Sequence, residues 1–142
     1  MRRQLLLALL IGTIILPVCG QKKPKINANK KMAIAAIDSK GNELTALSDK
    51  IWSFEEVAFQ EEQSSAALME YAEKQGFKIT KNVGGIATAF TAEYGSGKPI
   101  IGIMGEFDAL PGLSQKPVPY KDPVNTGGAG HCCVHNLFGV AS

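Results

Sequence analysis

The sequence predicts an α/β fold, and three observations carry that prediction. Apolar residues recur at helical spacing up to about residue 75. From Phe77 the period shifts from about 3.6 to 2. Between Pro99 and Phe107 the chain is almost continuously apolar, the pattern of a strand covered on both faces. Helices followed by strands, with polar residues leaving the end of a buried strand, point to an α/β sandwich.

The elements follow in order. Met32 to Phe54 reads as helical, with Leu44, Leu47, Ile51 and Phe54 forming one apolar stripe. Gly41 either divides this helix or weakens it. A second helix is expected over Gln63–Gln75, where Ala67, Leu68, Tyr71 and Ala72 share a face. Gly76 stands where a left-handed C-terminal cap belongs. Phe77, Ile79 and Val83 outline a short strand. Ile86 to Tyr94 alternates as another, and Tyr94–Lys98 is a turn. Ile100, Ile101, Ile103 and Met104 dominate the buried strand. Residues 111–130 are rich in Pro and Gly and form a long loop, a length usually tied to function. Asn136 to Ser142 opens a last helix. No internal repeat or low-complexity tract interrupts the chain.

Composition excludes several classes. A hydrophobic fraction of 45% with 20% charged residues belongs to a globular protein, not a disordered one. Both arginines, Arg2 and Arg3, lie at the N-terminus; without them the lysines equal the 13 acidic residues. No basic footprint remains for nucleic acid. Three cysteines do not make a disulfide scaffold.

Residues 1–20 read as a signal peptide. Arg2 and Arg3 form a positive start, and Leu5 to Val18 is apolar but shorter than the roughly 20 residues a spanning helix needs. Its end can be read two ways. Val18 and Gly20 suit cleavage before Gln21, whereas Leu16 and Cys19 resemble a lipoprotein box with Cys19 acylated. A retained anchor is the third reading. Either cleavage implies export, to the periplasm or outside, with lipid anchoring through Cys19 in the second case. Residues 21–31 are a Lys-rich spacer, and residues 32–142 are the domain itself.

Two clusters carry chemistry. Gly105–Pro111 places Glu106 and Asp108 at the C-terminal end of the expected buried strand, where α/β folds hold ligands. Gly130–Asn136 contains His131, Cys132, Cys133 and His135. Thiolate and imidazole two residues apart suit zinc. The same residues also suit a buried thiol and a hydrogen-bonded loop histidine.

Several ordered pieces carry a resemblance. They are Ile51-Trp52-Ser53-Phe54-Glu55-Glu56, Phe59-Gln60-Glu61, Ser64-Ser65 leading to Gly76-Phe77, Thr88-Ala89-Phe90, Gly105 to Gln115, and Gly130 to Asn136. From Leu47 to Ser142 the chain resembles the aminobenzoyl-glutamate utilization protein B-like amidohydrolases. These sit in the metallopeptidase family of aminoacylases and glutamate carboxypeptidases.

The resemblance implies a zinc-peptidase-like catalytic domain, a three-layer αβα sandwich, of which this chain is the N-terminal part. It implies two divalent metal ions, zinc or manganese, a small amide or dipeptide-like substrate, and a homodimer in the full-length family. Cys133 and His135 correspond to metal ligands. Asp108 corresponds to the aspartate that orients a metal-binding histidine, and His131 to a supporting histidine. The family loop reads G-H-G-C-G-H-N, so Cys132 and Val134 replace glycines. A β-branched valine is poorly suited to glycine's backbone angles, and Cys132 is a thiol able to compete for metal.

The implied reaction is metal-assisted amide hydrolysis with a glutamate as general base. In the family that base comes from a Glu-Glu pair lying downstream of the segment matching Ser142. Glu55-Glu56 and Glu61-Glu62 match a helix motif instead, as surface charges and caps. No catalytic base is therefore expected in this chain, which is expected to be truncated and inactive alone. The alternative is a non-catalytic exported α/β domain with at most weak metal binding. The genomic sequence directly after Ser142 separates the two readings.

Overall fold

A computed structural model describes residues 26–142, so the expected signal segment and most of the spacer lie outside the described residues. The described residues fall into two units, 26–37 and 38–142. The architecture is mixed α/β, with three α-helices and a two-stranded antiparallel sheet among the described residues. No described helix is long and apolar enough to cross a membrane.

Helix α1 spans Ala28–Phe54 without a break at Gly41. Asn27 Oδ1 accepts the Lys30 amide at 2.9 Å, which caps an orphan donor of the first turn. Met32, Ile34 and Ile37 are exposed in the first unit. In the second unit α1 buries Ser48 and Ile51. The helix stops because Glu55 turns into the left-handed region, at φ 52°. Glu55 is held there by Ser114 Oγ at 3.4 Å and Asn125 Nδ2 at 3.2 Å, both donating to its carboxylate.

Helix α2 spans Glu62–Lys74 and buries Ser64, Ser65, Ala67 and Leu68. Its N-terminus is capped from outside the helix. Glu56 accepts from the Gln63 and Ser64 amides at 2.8 Å and from Ser64 Oγ at 2.7 Å. Burial acts to raise the Glu56 carboxyl, but the hydrogen bonds from Gln63 and Ser64 together hold it below its ordinary value. At the other end Gly76 sits at φ 91°, and the Phe77 amide reaches back to Ala72 O at 3.1 Å. That is the left-handed glycine cap expected at this position.

Strands β1, Lys78–Lys81, and β2, Phe90–Glu93, pair antiparallel with Ile79 opposite Ala92. The strand expected from Ile86 therefore begins only at Phe90. Residues 82–89 form hydrogen-bonded turns, with Gly84 and Gly85 both at positive φ and Val83 in a short 3₁₀ turn. Phe77 and Tyr94 close the end of the sheet, their rings 5.3 Å apart.

The largest correction concerns Pro99–Phe107. It forms no strand, and Ile100, Ile101, Ile103 and Met104 are 74–84% exposed. A strand exists only where a neighbour accepts its backbone groups, and β1 and β2 pair with each other. The run is apolar enough to be central, yet no described strand pairs with it. Pairing begins just after it: Ala109 N donates to Glu56 O at 2.7 Å, and Leu110 exchanges two 3.0 Å bonds with Gly130.

Those bonds set the base of the long loop, which a 2.9 Å bond from Ser114 N to Gly128 O tightens. Within the loop, Gln115 Nε2 donates to Tyr120 O at 2.8 Å and its Oε1 accepts the Asp122 amide at 3.0 Å. Gly130 is needed for contact: a Cβ there would run into the backbone carbonyl of Leu113. Helix α3, His135–Ala141, completes the fold. Gly139 lets it lie against the Glu106–Phe107 backbone, since a Cβ would meet Phe107 Cβ at 2.8 Å. Val134, immediately before α3, adopts φ 64° and ψ 26°. A valine thus occupies the left-handed conformation that glycine takes without steric cost.

Candidate functional site

The site forms where the segment after the exposed run meets the first turn of α3. Glu106 and Asp108 are two residues apart in sequence, and both side chains meet His135. His135 begins α3 and faces them. Its Nδ1 lies 2.9 Å from Asp108 Oδ1 and 3.2 Å from Asp108 O. Its Nε2 lies 3.2 Å from Glu106 Oε2. Ligand atoms of all three residues fall within 4.8 Å of one another, as metal ligands do.

The donor pattern is informative. With Nδ1–H given to Asp108, a neutral His135 presents an Nε2 lone pair to the Glu106 carboxylate. Two acceptors face each other, an arrangement relieved by a cation between them, either a proton on Nε2 or a metal ion. His135 and Asp108 are each 19% exposed, so their contact is partly shielded, whereas Glu106 is open to solvent. The residues present therefore fit a divalent metal.

The remaining residues named from the sequence lie differently. His131 is buried, and its Nε2 donates to Ile51 O at 3.2 Å. Ile51 O is one of the last four carbonyls of α1, which lack partners inside the helix. His131 thus caps α1. Burial holds its pKa below the ordinary histidine value, the Ile51 bond partly offsetting this, so the ring is neutral near pH 7. Its Nδ1 is buried with no hydrogen-bond partner among the described residues. Cys133 is exposed and outside the Glu106–Asp108–His135 group. Asn136 donates to Ser48 Oγ at 2.9 Å, tying α3 to α1. Among the residues brought together, Glu106 is the one that the motif comparison does not single out. Its i, i+2 relation to Asp108 is the signal that marks it.

A cleft of about 370 Å³ opens beside Glu106 and Asp108, lined by Phe59, Ile86, Phe90 and Met104 among others. On its wall Thr88 Oγ1 donates to Glu61 Oε2 at 2.7 Å. Glu61 is buried, so it is not the surface charge that its motif suggests.

No protein-family model and no solved structure matches the chain. Two curated proteins do. The chain is 43% identical over 108 residues to a p-aminobenzoyl-glutamate hydrolase subunit of Escherichia coli (strain K12), covering 75% of this chain and 22% of that protein. It is 36% identical over 83 residues to a Bacillus subtilis (strain 168) protein named as an amidohydrolase, YhaA, covering 58% of this chain and 20% of that one. The chain thus spans about a fifth of the length of these relatives. Over most of its length, this chain is a homologue of the amidohydrolases related to that p-aminobenzoyl-glutamate hydrolase.

Proposed function

We propose that this chain contributes one wall of a metal-dependent amide hydrolase site. The observation that carries the reading is the His135 arrangement: Nδ1 committed to Asp108 at 2.9 Å, and Nε2 left facing Glu106. Homology to proteins named as hydrolase and amidohydrolase supports the reaction class. The substrate class is a small amide, of the N-acyl amino acid, dipeptide-like or aminobenzoyl-glutamate type. No nucleic acid is involved.

His135 and Cys133 are the proposed metal ligands, with zinc or manganese as the metal and two ions in the whole family site. Glu106 adds an oxygen on the His135 side. Divalent metals supply Lewis acidity, polarising an amide carbonyl and acidifying water. Asp108 fixes the His135 tautomer and raises the basicity of its free nitrogen. His131 supports the loop by holding its start against the end of α1. Cys133 belongs to a short exposed turn and lies outside the group that His135 forms with Glu106 and Asp108.

In the same reading, the mixed α/β fold of this chain belongs to a three-layer αβα sandwich, in which the exposed run at residues 100–104 would be covered in a protein of its relatives' length. The packing of Gly139 against Phe107 and the 6.1 Å contact of the Phe90 and Phe107 rings support it. Export, with or without acylation at Cys19, and dimerisation complete the proposal. None of the described residues gathered at His135 is assigned as general base in this proposal, and turnover by the 142-residue chain alone is expected to stay at background. Zinc titration of the chain against His135→Ala and Cys133→Ala tests the ligand assignment. Each substitution should weaken binding, and unchanged binding in both would reject it.

A further inference from the structure

The turn before α3 carries two thiols that the His135 arrangement does not use. Val134 N donates to His131 O at 3.2 Å, closing a four-residue turn with Cys132 and Cys133 at its centre. Both ends of the turn are anchored: His131 is buried against Ile51 O, and Val134 O accepts the Leu137 and Phe138 amides at 3.0 Å in the first turn of α3. The two cysteines at the centre of the turn are exposed and free.

Adjacent cysteines are poorly placed for a disulfide. Consecutive Cα atoms lie about 3.8 Å apart, short of the roughly 4.4 Å at which ordinary disulfides begin. One soft atom between the sulfurs removes that difficulty. Its bonds to sulfur are longer than an S–S bond, about 2.3 Å for zinc against about 2.05 Å, and the sulfurs need not touch. Paired thiolates favour soft acceptors over magnesium or calcium. The pinned turn also presents both sulfurs from one short segment, so little ordering is lost on chelation.

We propose that Cys132 and Cys133 form a dithiol site for a thiophilic metal or metalloid centre, with trivalent arsenic as the ligand class that fits it. The site shares Cys133 with the hydrolase reading but does not rest on that reading, and it needs neither His135 nor Asp108. With an organoarsenic oxide the step balances. Two As–S bonds form, the arsenic–oxygen bond breaks, and the oxygen leaves as water with the two thiol protons. Arsenic stays trivalent and nothing is oxidised.

The test uses the full chain carrying Cys19→Ser, which removes the third thiol, and phenylarsine oxide as the probe. Intact mass should show one arsenical per chain, retained in excess monothiol and released by a small dithiol. Cys132→Ser and Cys133→Ser should each weaken capture at least about a hundredfold, the loss expected when a chelate becomes a single attachment. Cys132→Gly should lose capture equally, with far-UV circular dichroism confirming that the fold persists. His135→Ala should leave capture unchanged, which separates this site from the proposed hydrolase metal. Release by monothiol, undiminished capture in any single-cysteine variant, or loss of capture in His135→Ala would overturn the proposal.

Discussion

Asp108 and His135, 27 residues apart in sequence, meet with Oδ1 2.9 Å from Nδ1, and this contact decides which imidazole nitrogen stays open. Asp108→Asn keeps the shape but not the charge. We predict that it weakens zinc or manganese binding by about 10–100-fold, the usual cost of losing such a partner. Isothermal titration of both proteins at one pH measures the ratio. An unchanged affinity would show that Asp108 does not tune His135.

Glu106 separates two versions of the same site. If its carboxylate shares a cation with His135, Glu106→Gln removes one charge beside Nε2 and weakens metal binding further. Isothermal titration of zinc or manganese into both proteins at one pH reads the loss, and an unchanged affinity would show that Glu106 holds no cation beside His135.

Val134 stands at φ 64° before α3. Left-handed backbone costs an L-residue roughly 1–2 kcal/mol, and glycine avoids that cost. Val134→Gly should therefore stabilise the fold by about 1 kcal/mol, after the entropy lost from a freer unfolded chain. Val134→Ala keeps a Cβ and should gain less. Chemical denaturation of the three proteins gives the order.

Gly130 predicts the opposite sign. Any Cβ there meets the Leu113 carbonyl and lies 2.9 Å from Ser114 Cα, both main-chain groups that cannot rotate away. Gly130→Ala should destabilise by roughly 1–3 kcal/mol, the range for forced overpacking. It should also loosen the Leu110–Gly130 pair, seen as faster amide exchange at Leu110.

Glu56 links α2 to pH. Its pKa is lower in the folded chain than the ordinary 4.5, so the folded state binds fewer protons than the unfolded state. Its contribution is fully present above about 4.5 and is lost as pH falls through the depressed folded value. Glu56→Gln should flatten this acid-side decline, and Glu56→Ala should cost about 1–2 kcal/mol at neutral pH as a lost cap. Stability measured from pH 7 to pH 3 tests both.

Sequence patterning alone determined the local elements. The α2 stripe at Ala67 and Leu68, the stop at Gly76 and the start of the last helix follow from spacing and glycine chemistry, which act over a few residues. The motif around Asp108 and His135 was also legible, because its residue types are specific. What tertiary structure decided was partnership. Ile100–Met104 has the composition of a buried strand, but composition cannot supply a neighbouring strand, and here the run forms no strand and is exposed. His131 reads as a site residue until α1 ends beside it and its Nε2 is taken by Ile51 O. Glu61 reads as a surface charge until Thr88 closes over it. Glu106 gains its role only when the chain brings His135 back to it. Each of these outcomes depends on contacts between residues distant in sequence, and residue periodicity holds no record of such contacts.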